Sequence, residues 1–188
     1  MIALLALLPE EPGDRLRVAL QPYGRVPAAH IRATAQALER TYAVRVGILP
    51  ARPLPKAAYY PPRARYRADR LLIELAKIRP ARYSKILGLT SVDVSTTMPG
   101  RTDWGLFGLG NLGGPACVVS SFRMRGNATP AKLQERVAKV AVHELGHTFG
   151  RDHCPSDRCV MNDARGKMAT VDRARPVPCS DCRDAMGR

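Results

Sequence analysis

Polar and apolar residues alternate through RLRVALQPYG (Arg15–Gly24), which predicts a β-strand ending at a Pro/Gly turn. After Pro27 the period changes. Ile31, Ala35, Leu38 and Tyr42 recur at three- and four-residue intervals, the spacing of one helix face. Alternation with β-branched residues returns in VRVGIL (Val44–Leu49), a second strand. PARPLPKAAYYPP (Pro50–Pro62) is proline-rich and reads as an extended connector ordered over the surface. A second amphipathic helix runs from about Ala68 to Ile78, with Leu71, Leu72, Leu75 and Ile78 on its apolar face.

KILGLTSVDVSTT (Lys85–Thr97) reads as one strand with a turn or bulge near Gly88. DWGLFGLGNLGG (Asp103–Gly114) is too glycine-rich for a regular central strand and suggests bulges or an edge that another backbone approaches closely. ACVVSSFRM (Ala116–Met124) is the next strand. Thr129 can then cap a helix with Pro130 in its first position, running from about Ala131 to Phe149 and stopping at Gly150. VAKVAVHEL within it is apolar nearly all round, so this long helix is expected to be buried. The order β-α-β-α-β-β-β followed by a helix predicts an α/β (α+β) fold, a mixed twisted sheet with helices packed on it.

Size adds little beyond this: 188 residues suffice for one domain, or one with a small appendage. Charge adds more. Lys and Arg number 30 against 16 Asp and Glu, a formal net charge of +14. The arginines are spread along the chain without interleaved aromatics, which favours a solvated basic surface over a nucleic-acid footprint, while a positive field still favours acidic partners or substrates. The first residues, MIALLALLPEE, have no basic start and no small-residue cleavage site. They read as a strand or ordered extension instead of a secretory signal, which predicts a cytoplasmic protein. No apolar run is long enough to span a bilayer.

Candidate chemistry is concentrated in VHELGHTFGRDHCPSDRCVM (Val142–Met161). His143 and His147 are one helical turn apart on one face, so both imidazoles can reach a metal at about 2.0–2.1 Å. Gly150 breaks the helix, and His153 follows where a returning chain can deliver a third imidazole. Three protein ligands with a fourth position open describe a catalytic zinc site. Glu144 sits beside His143 at the edge of that face, placed as a general base instead of a ligand. Zinc lowers the pKa of its water to about 7, and the predicted reaction is peptide-bond hydrolysis without an acyl-enzyme.

The cysteines form a second group. Cys154 follows His153 directly, Cys159 comes five residues on, and Cys179 and Cys182 make a C-x-x-C pair. Two short-spaced pairs suit a closed tetrahedral zinc site; two disulfides are the alternative, disfavoured without a secretory signal. Two zinc ions per chain are therefore expected. Cys117, in an apolar strand, reads as a small core residue; His30 has no assigned role, and Tyr59, Tyr60 and Tyr66 are expected to pack on the proline-rich connector.

The run from His143 to Cys182 resembles the archaemetzincins, a branch of the metzincin zinc peptidases. HELGHTFGRDHC, PSDR, CVM, seventeen residues from Asn162 to Pro178, and CSDC follow the family's H-E-x-x-H-x-x-G-x-x-H-C-x4-C-x-M-x17-C-x-x-C pattern throughout. YYPPRARYRADRLL and ILGLTSVDVS are similar more loosely. The resemblance implies His143, His147 and His153 as catalytic zinc ligands, Glu144 as general base, and Cys154, Cys159, Cys179 and Cys182 as structural zinc ligands. It implies Met161 in the turn beneath the catalytic metal. It also implies an N-terminal α/β subdomain (1–150) above a small zinc-stabilised C-terminal subdomain (151–188). Peptide would bind extended in the cleft between them, along an edge strand from the Gly105–Val119 region. A monomer is expected. The competing expectation is a basic zinc-binding module for nucleic acid or protein that does not turn over.

Overall fold

The computed structural model describes residues 15–187; the N-terminal strand or extension expected from residues 1–12 lies outside them. Four parallel strands form the centre: β1 (Arg17–Tyr23), β2 (Arg45–Ile48), β5 (Lys85–Thr90) and β9 (Ala116–Ser120). β8 (Gly108–Gly110) adds to β9 antiparallel, so the order is β2-β1-β5-β9-β8 and β8 is an edge. A second, four-stranded sheet is built from β3 (Tyr59–Tyr60), β4 (Arg65–Arg67), β6 (Val94–Met98) and β7 (Arg101–Gly105).

Period-two alternation sorts the central strands between two layers. Val18, Leu20, Leu87, Leu89, Cys117 and Val119 face α1 (Ala28–Tyr42) and α3 (Pro130–Thr148). Ala19, Ile86, Ala116 and Val118 face α2 (Ala68–Ile78), whose Leu71, Leu72 and Leu75 are buried there. Each of those leucines contributes roughly 1.5–3 kcal/mol on burial. With both faces covered, β1 is buried from Val18 to Tyr23, which the alternation of polar residues alone did not imply. The connector from 50 to 62 is held as expected: Gly24 N–H donates to Arg52 O and Arg52 N–H to Pro22 O.

Three expectations need correction. Lys85–Thr97 is not one strand but β5 and β6, which belong to different sheets. The backbone parts at residues 91–93 because its hydrogen bonds go elsewhere: Val92 O accepts from Ser120 Oγ and Asp93 O from Tyr66 N–H. Gly88 is no bulge; a Cβ there would lie 2.8 Å from Leu75 Cδ1, so its bare backbone is the groove into which α2 packs. The strand after Ala116 ends at Ser120, and Phe122–Met124 is a 3-10 turn.

α3 is the element that carries the site. Thr129 Oγ1 accepts from Lys132 N–H at 3.2 Å, Pro130 opens the helix, and Gly150 follows with φ +85°. Val137, Ala141, Val142 and Leu145 are buried as the helix packs on α1, β9, β8 and β5. Beyond it come α4 (Met168–Arg173) and α5 (Ser180–Ala185). Arg136 clamps α4 to α3 with a two-pronged bond to Asp172 at 2.8 and 2.7 Å. Cys154, Val160, Met161, Val171 and Cys182 share one apolar core with α3.

Candidate metal centre and cleft

His143 and His147 project from one face of α3 with their Nε2 atoms 3.0 Å apart. Their outer nitrogens are fixed by main-chain carbonyls: His143 Nδ1 lies 2.8 Å from Val160 O, and His147 Nδ1 2.7 Å from Arg151 O. A carbonyl only accepts, so each Nδ1 carries the proton and each Nε2 presents a lone pair. Two lone pairs facing each other at that distance repel unless a cation lies between them. Burial, and then the neighbouring His147, holds His143 down at about pKa 4; burial also lowers His147. Both imidazoles are therefore neutral and available as ligands. His153 arrives from the loop after α3, its ring 5.3 Å from that of His143 and 4.9 Å from that of His147. One nitrogen from each of the three lies within 4.8 Å of the others. This donor set suits zinc.

Glu144 stays outside that group. It is 7% exposed, and its carboxylate makes no hydrogen bond or ion pair among the described residues. Burial raises its pKa to about 8. Its position is set by β8, where a Cβ on Gly108 would lie 2.6 Å from Glu144 Cγ and one on Gly110 2.5 Å from Glu144 O. The close approach expected of the glycine-rich segment is thus made against the active-site helix itself.

Met161 is fully buried against Gly146 of α3. Gly146, between His143 and His147 on the inner side, makes room for it: a Cβ there would be 2.5 Å from Met161 Sδ and 2.8 Å from the Tyr42 hydroxyl. That hydroxyl donates to Val142 O at 2.7 Å, tying α1 to the same turn of α3.

The four cysteines converge behind this point, with their sulfurs within 4.8 Å of one another. Cys154 Sγ is 3.8 Å from Cys179 Sγ, and Cys159 Sγ 3.7 Å from Cys182 Sγ. A tetrahedral ion about 2.3 Å from each sulfur spaces them by about 3.8 Å, whereas a disulfide needs about 2.05 Å. All four are free thiols, so the two-disulfide alternative is not realised. Burial raises Cys159 and Cys182, while the Cys182 backbone N–H lowers Cys179; the group needs a cation to ionise together.

The two clusters are joined through main chain. Cys154 N–H donates to Met161 O at 2.8 Å, and Asn162 Nδ2 to Cys154 O at 3.0 Å. Arg151 spans both: its carbonyl receives His147, and its Nε donates to Cys182 Sγ at 3.1 Å. The histidines open onto a cleft of about 860 Å³ bounded by β8 on one side and residues 160–166 on the other. Tyr59 and Tyr66 pack on each other at 5.3 Å, and neither they nor Tyr60 line the cleft.

The profile of Peptidase family M54 matches residues 42–188. The chain belongs to peptidase family M54. It is similar to an archaemetzincin of Halobacterium salinarum, 33% identical over 175 residues that cover 89% of this chain and 97% of that protein. The crystal structure of archaemetzincin from Methanopyrus kandleri matches with a TM-score of 0.81 at 32% identity, covering 95% of this chain and 97% of that one. A zinc-dependent peptidase from Methanocorpusculum labreanum matches with a TM-score of 0.76 at 26% identity, covering 90% and 99%. The metzincin resemblance carried by HELGHTFGRDHC and CSDC therefore stands, and this M54 chain is a zinc metallopeptidase.

Several contributors to the M54 site have no signal in the sequence. The Val160 and Arg151 carbonyls act through backbone and could be any residue's. Gly108, Gly110 and Gly146 matter through what they leave out, and only the density of glycines near β8 hinted at the first two.

Proposed function

We propose that Glu144 is the general base of a peptide hydrolysis whose zinc is held by His143, His147 and His153. The observation that carries this is the convergence of three imidazoles, two of them locked as Nε2 ligands by main-chain carbonyls, beside a buried carboxylate with no partner of its own. When bound, the zinc supplies Lewis acidity, polarising the scissile carbonyl and making water acidic near neutral pH. Glu144 takes the proton from the attacking water and passes it to the leaving amine. Burial keeps its carboxylate basic enough for the first step and its acid form strong enough for the second. The open edge of β8 offers main-chain donors and acceptors to an extended peptide, which orients the scissile bond over the histidines.

Cys154, Cys159, Cys179 and Cys182 hold a second zinc, for two per chain. Their role is support, because Cys159 and Cys182 anchor the segments whose carbonyls fix the imidazoles. Met161 is the packing floor under the catalytic group. Among the described residues, 15–150 then form the upper part of the catalytic domain and 151–187 the lower part. Among the described residues no helix is long and apolar enough to cross a membrane. Free thiols at the cysteine cluster suit a reducing compartment, so we place the protein in the cytoplasm.

The test is Glu144→Ala in zinc-replete protein, assayed on a peptide library. Zinc content is expected to stay at two per chain while hydrolysis falls at least a hundred-fold. Turnover that survives the substitution would remove Glu144 from the chemistry.

A further inference from the structure

The second sheet carries a group of arginines that the hydrolytic site does not use. Beside the cleft lies a depression of about 720 Å³ whose walls include Arg63, Arg65, Arg101 and Arg123 with Asp103. It is continuous with the cleft, since Arg101, Trp104, Gly105 and Phe107 line both.

The arginines are held in place, not merely adjacent. Asp93 forms an ion pair with Arg65 Nε at 2.8 Å and accepts from Arg123 Nε and Nη2 at 2.6 and 2.9 Å. Asp103 accepts from Arg65 Nη1 at 2.7 Å. A side chain on Gly105 would overlap the Arg123 guanidinium, so the glycine is what lets that group lie against β7. Four guanidinium groups face two carboxylates, leaving two positive charges over. Arg63, 66% exposed, reaches Asp103 only at 3.8 Å. The Arg101 guanidinium makes no ion pair or hydrogen bond among the described residues and lies over the Trp104 ring at 4.3 Å. Arg65 Nη2 and Arg123 Nη1 also make no hydrogen bond among the described residues. The result is a recess of oriented, unspent N–H donors with an aromatic wall, suited to a planar anion.

We propose that this recess is a carboxylate-binding subsite of the cleft, which takes an acidic group of the peptide substrate. That group is an Asp or Glu side chain or the peptide's own C-terminus; both offer the same chemistry. The assignment rests on the peptidase reading, because the recess opens into the peptide cleft. It favours a peptide over nucleic acid, since the donors line a walled recess and not an exposed stripe along a groove-sized face.

Trp104 is the only tryptophan in the chain and forms the shared wall, so its fluorescence reports occupancy without turnover. Zinc-loaded full-length Glu144→Ala protein is titrated with peptides matched in pairs: internal Asp or Glu against Asn or Gln, and free C-terminal acid against C-terminal amide. At least one acidic member is expected to bind about ten-fold more tightly than its neutral partner, and the pair that responds identifies the source. Arg63→Glu with Arg101→Glu is expected to erase that preference, and Arg63→Glu alone, at an exposed side chain, to reduce it. Pairs that bind within two-fold of each other, a preference that survives charge reversal, or a stronger Trp104 response to single-stranded DNA than to any acidic peptide would each overturn the subsite. Because binding decides it, native protein that binds acidic peptides but cleaves none would count against the proposed hydrolysis and leave the subsite standing.

Discussion

Replacing Gly108 with alanine puts a methyl group where Glu144 already is. The new Cβ would stand 2.6 Å from Glu144 Cγ, 2.7 Å from Oε1 and 2.9 Å from Cδ, against an ordinary contact distance of 3.4 Å or more. The overlap is therefore about 0.8 Å at the tightest pair, and something must yield by nearly that much. Glu144 is rooted in the C-terminal part of α3 between two histidines tied to main-chain carbonyls, so the helix backbone cannot retreat without carrying them. The carboxylate must swing or β8 must lift, and both move the base relative to a peptide lying on β8. A displacement approaching 1 Å at a reacting group costs about a hundred-fold in rate. The overpacking itself costs about 1–3 kcal/mol in stability. The assay is kcat/KM on a cleaved peptide, with zinc content and a denaturant melt on the same preparation. Gly126→Ala is the control, since a Cβ there meets nothing within 4 Å. We expect Gly108→Ala to keep its zinc, remain folded and lose about two orders of magnitude in kcat/KM, with Gly126→Ala unchanged. Activity within two-fold of the native protein would refute the idea that β8 positions the base.

Two further outcomes follow from the supports of the site. Cys179→Ser is expected to lower bound zinc from two ions to one and to reduce peptidase activity at least ten-fold at a temperature where circular dichroism shows the chain still folded; full activity there would separate the cysteine group from the histidines. Asp172→Asn removes the partner of Arg136, whose side chain is 8% exposed, and is expected to cost about 3 kcal/mol at pH 7 by urea unfolding. The Arg136 hydrogen bond, offset in part by burial, holds the Asp172 pKa below the usual carboxylate range. Its stabilisation is therefore complete above about pH 4 and lost as pH falls through the lower folded value, so the two unfolding curves should converge toward pH 2. A difference that persists there would mean the loss is packing and not charge.

Much of the architecture was legible from local pattern. The helices α1, α2 and α3 declared themselves by a period near 3.6, and α3 by Thr129-Pro130 at its start and Gly150 at its end. The second sheet did not. β3 and β4 are two and three residues long, too short for any period to register, and they exist because Tyr59 pairs with Tyr66 and Tyr66 with Val94. Lys85–Thr97 looked continuous because β-branched residues run through it, and only the partners of Val92 and Asp93 divide it. Gly88 was misread for a related reason: a glycine in a strand is consistent with a bulge or with a close neighbour, and the neighbour, Leu75, comes from a different part of the chain.

By itself the sequence picked out the candidate side chains for the proposed chemistry. Spacing along one helix is a local property, so His143 and His147 were on one face, with Glu144 at its edge, before anything else was known, and the short-spaced cysteine pairs were equally self-evident. Tertiary structure alone decided their state and surroundings. Val160 and Arg151 lend carbonyls that choose the imidazole tautomer, Gly108 and Gly110 bring β8 against Glu144, and Asp93 draws together Arg65 and Arg123 from two distant segments. Those effects act through backbone atoms, absent side chains and long-range charge, none of which leaves a periodic trace along the chain.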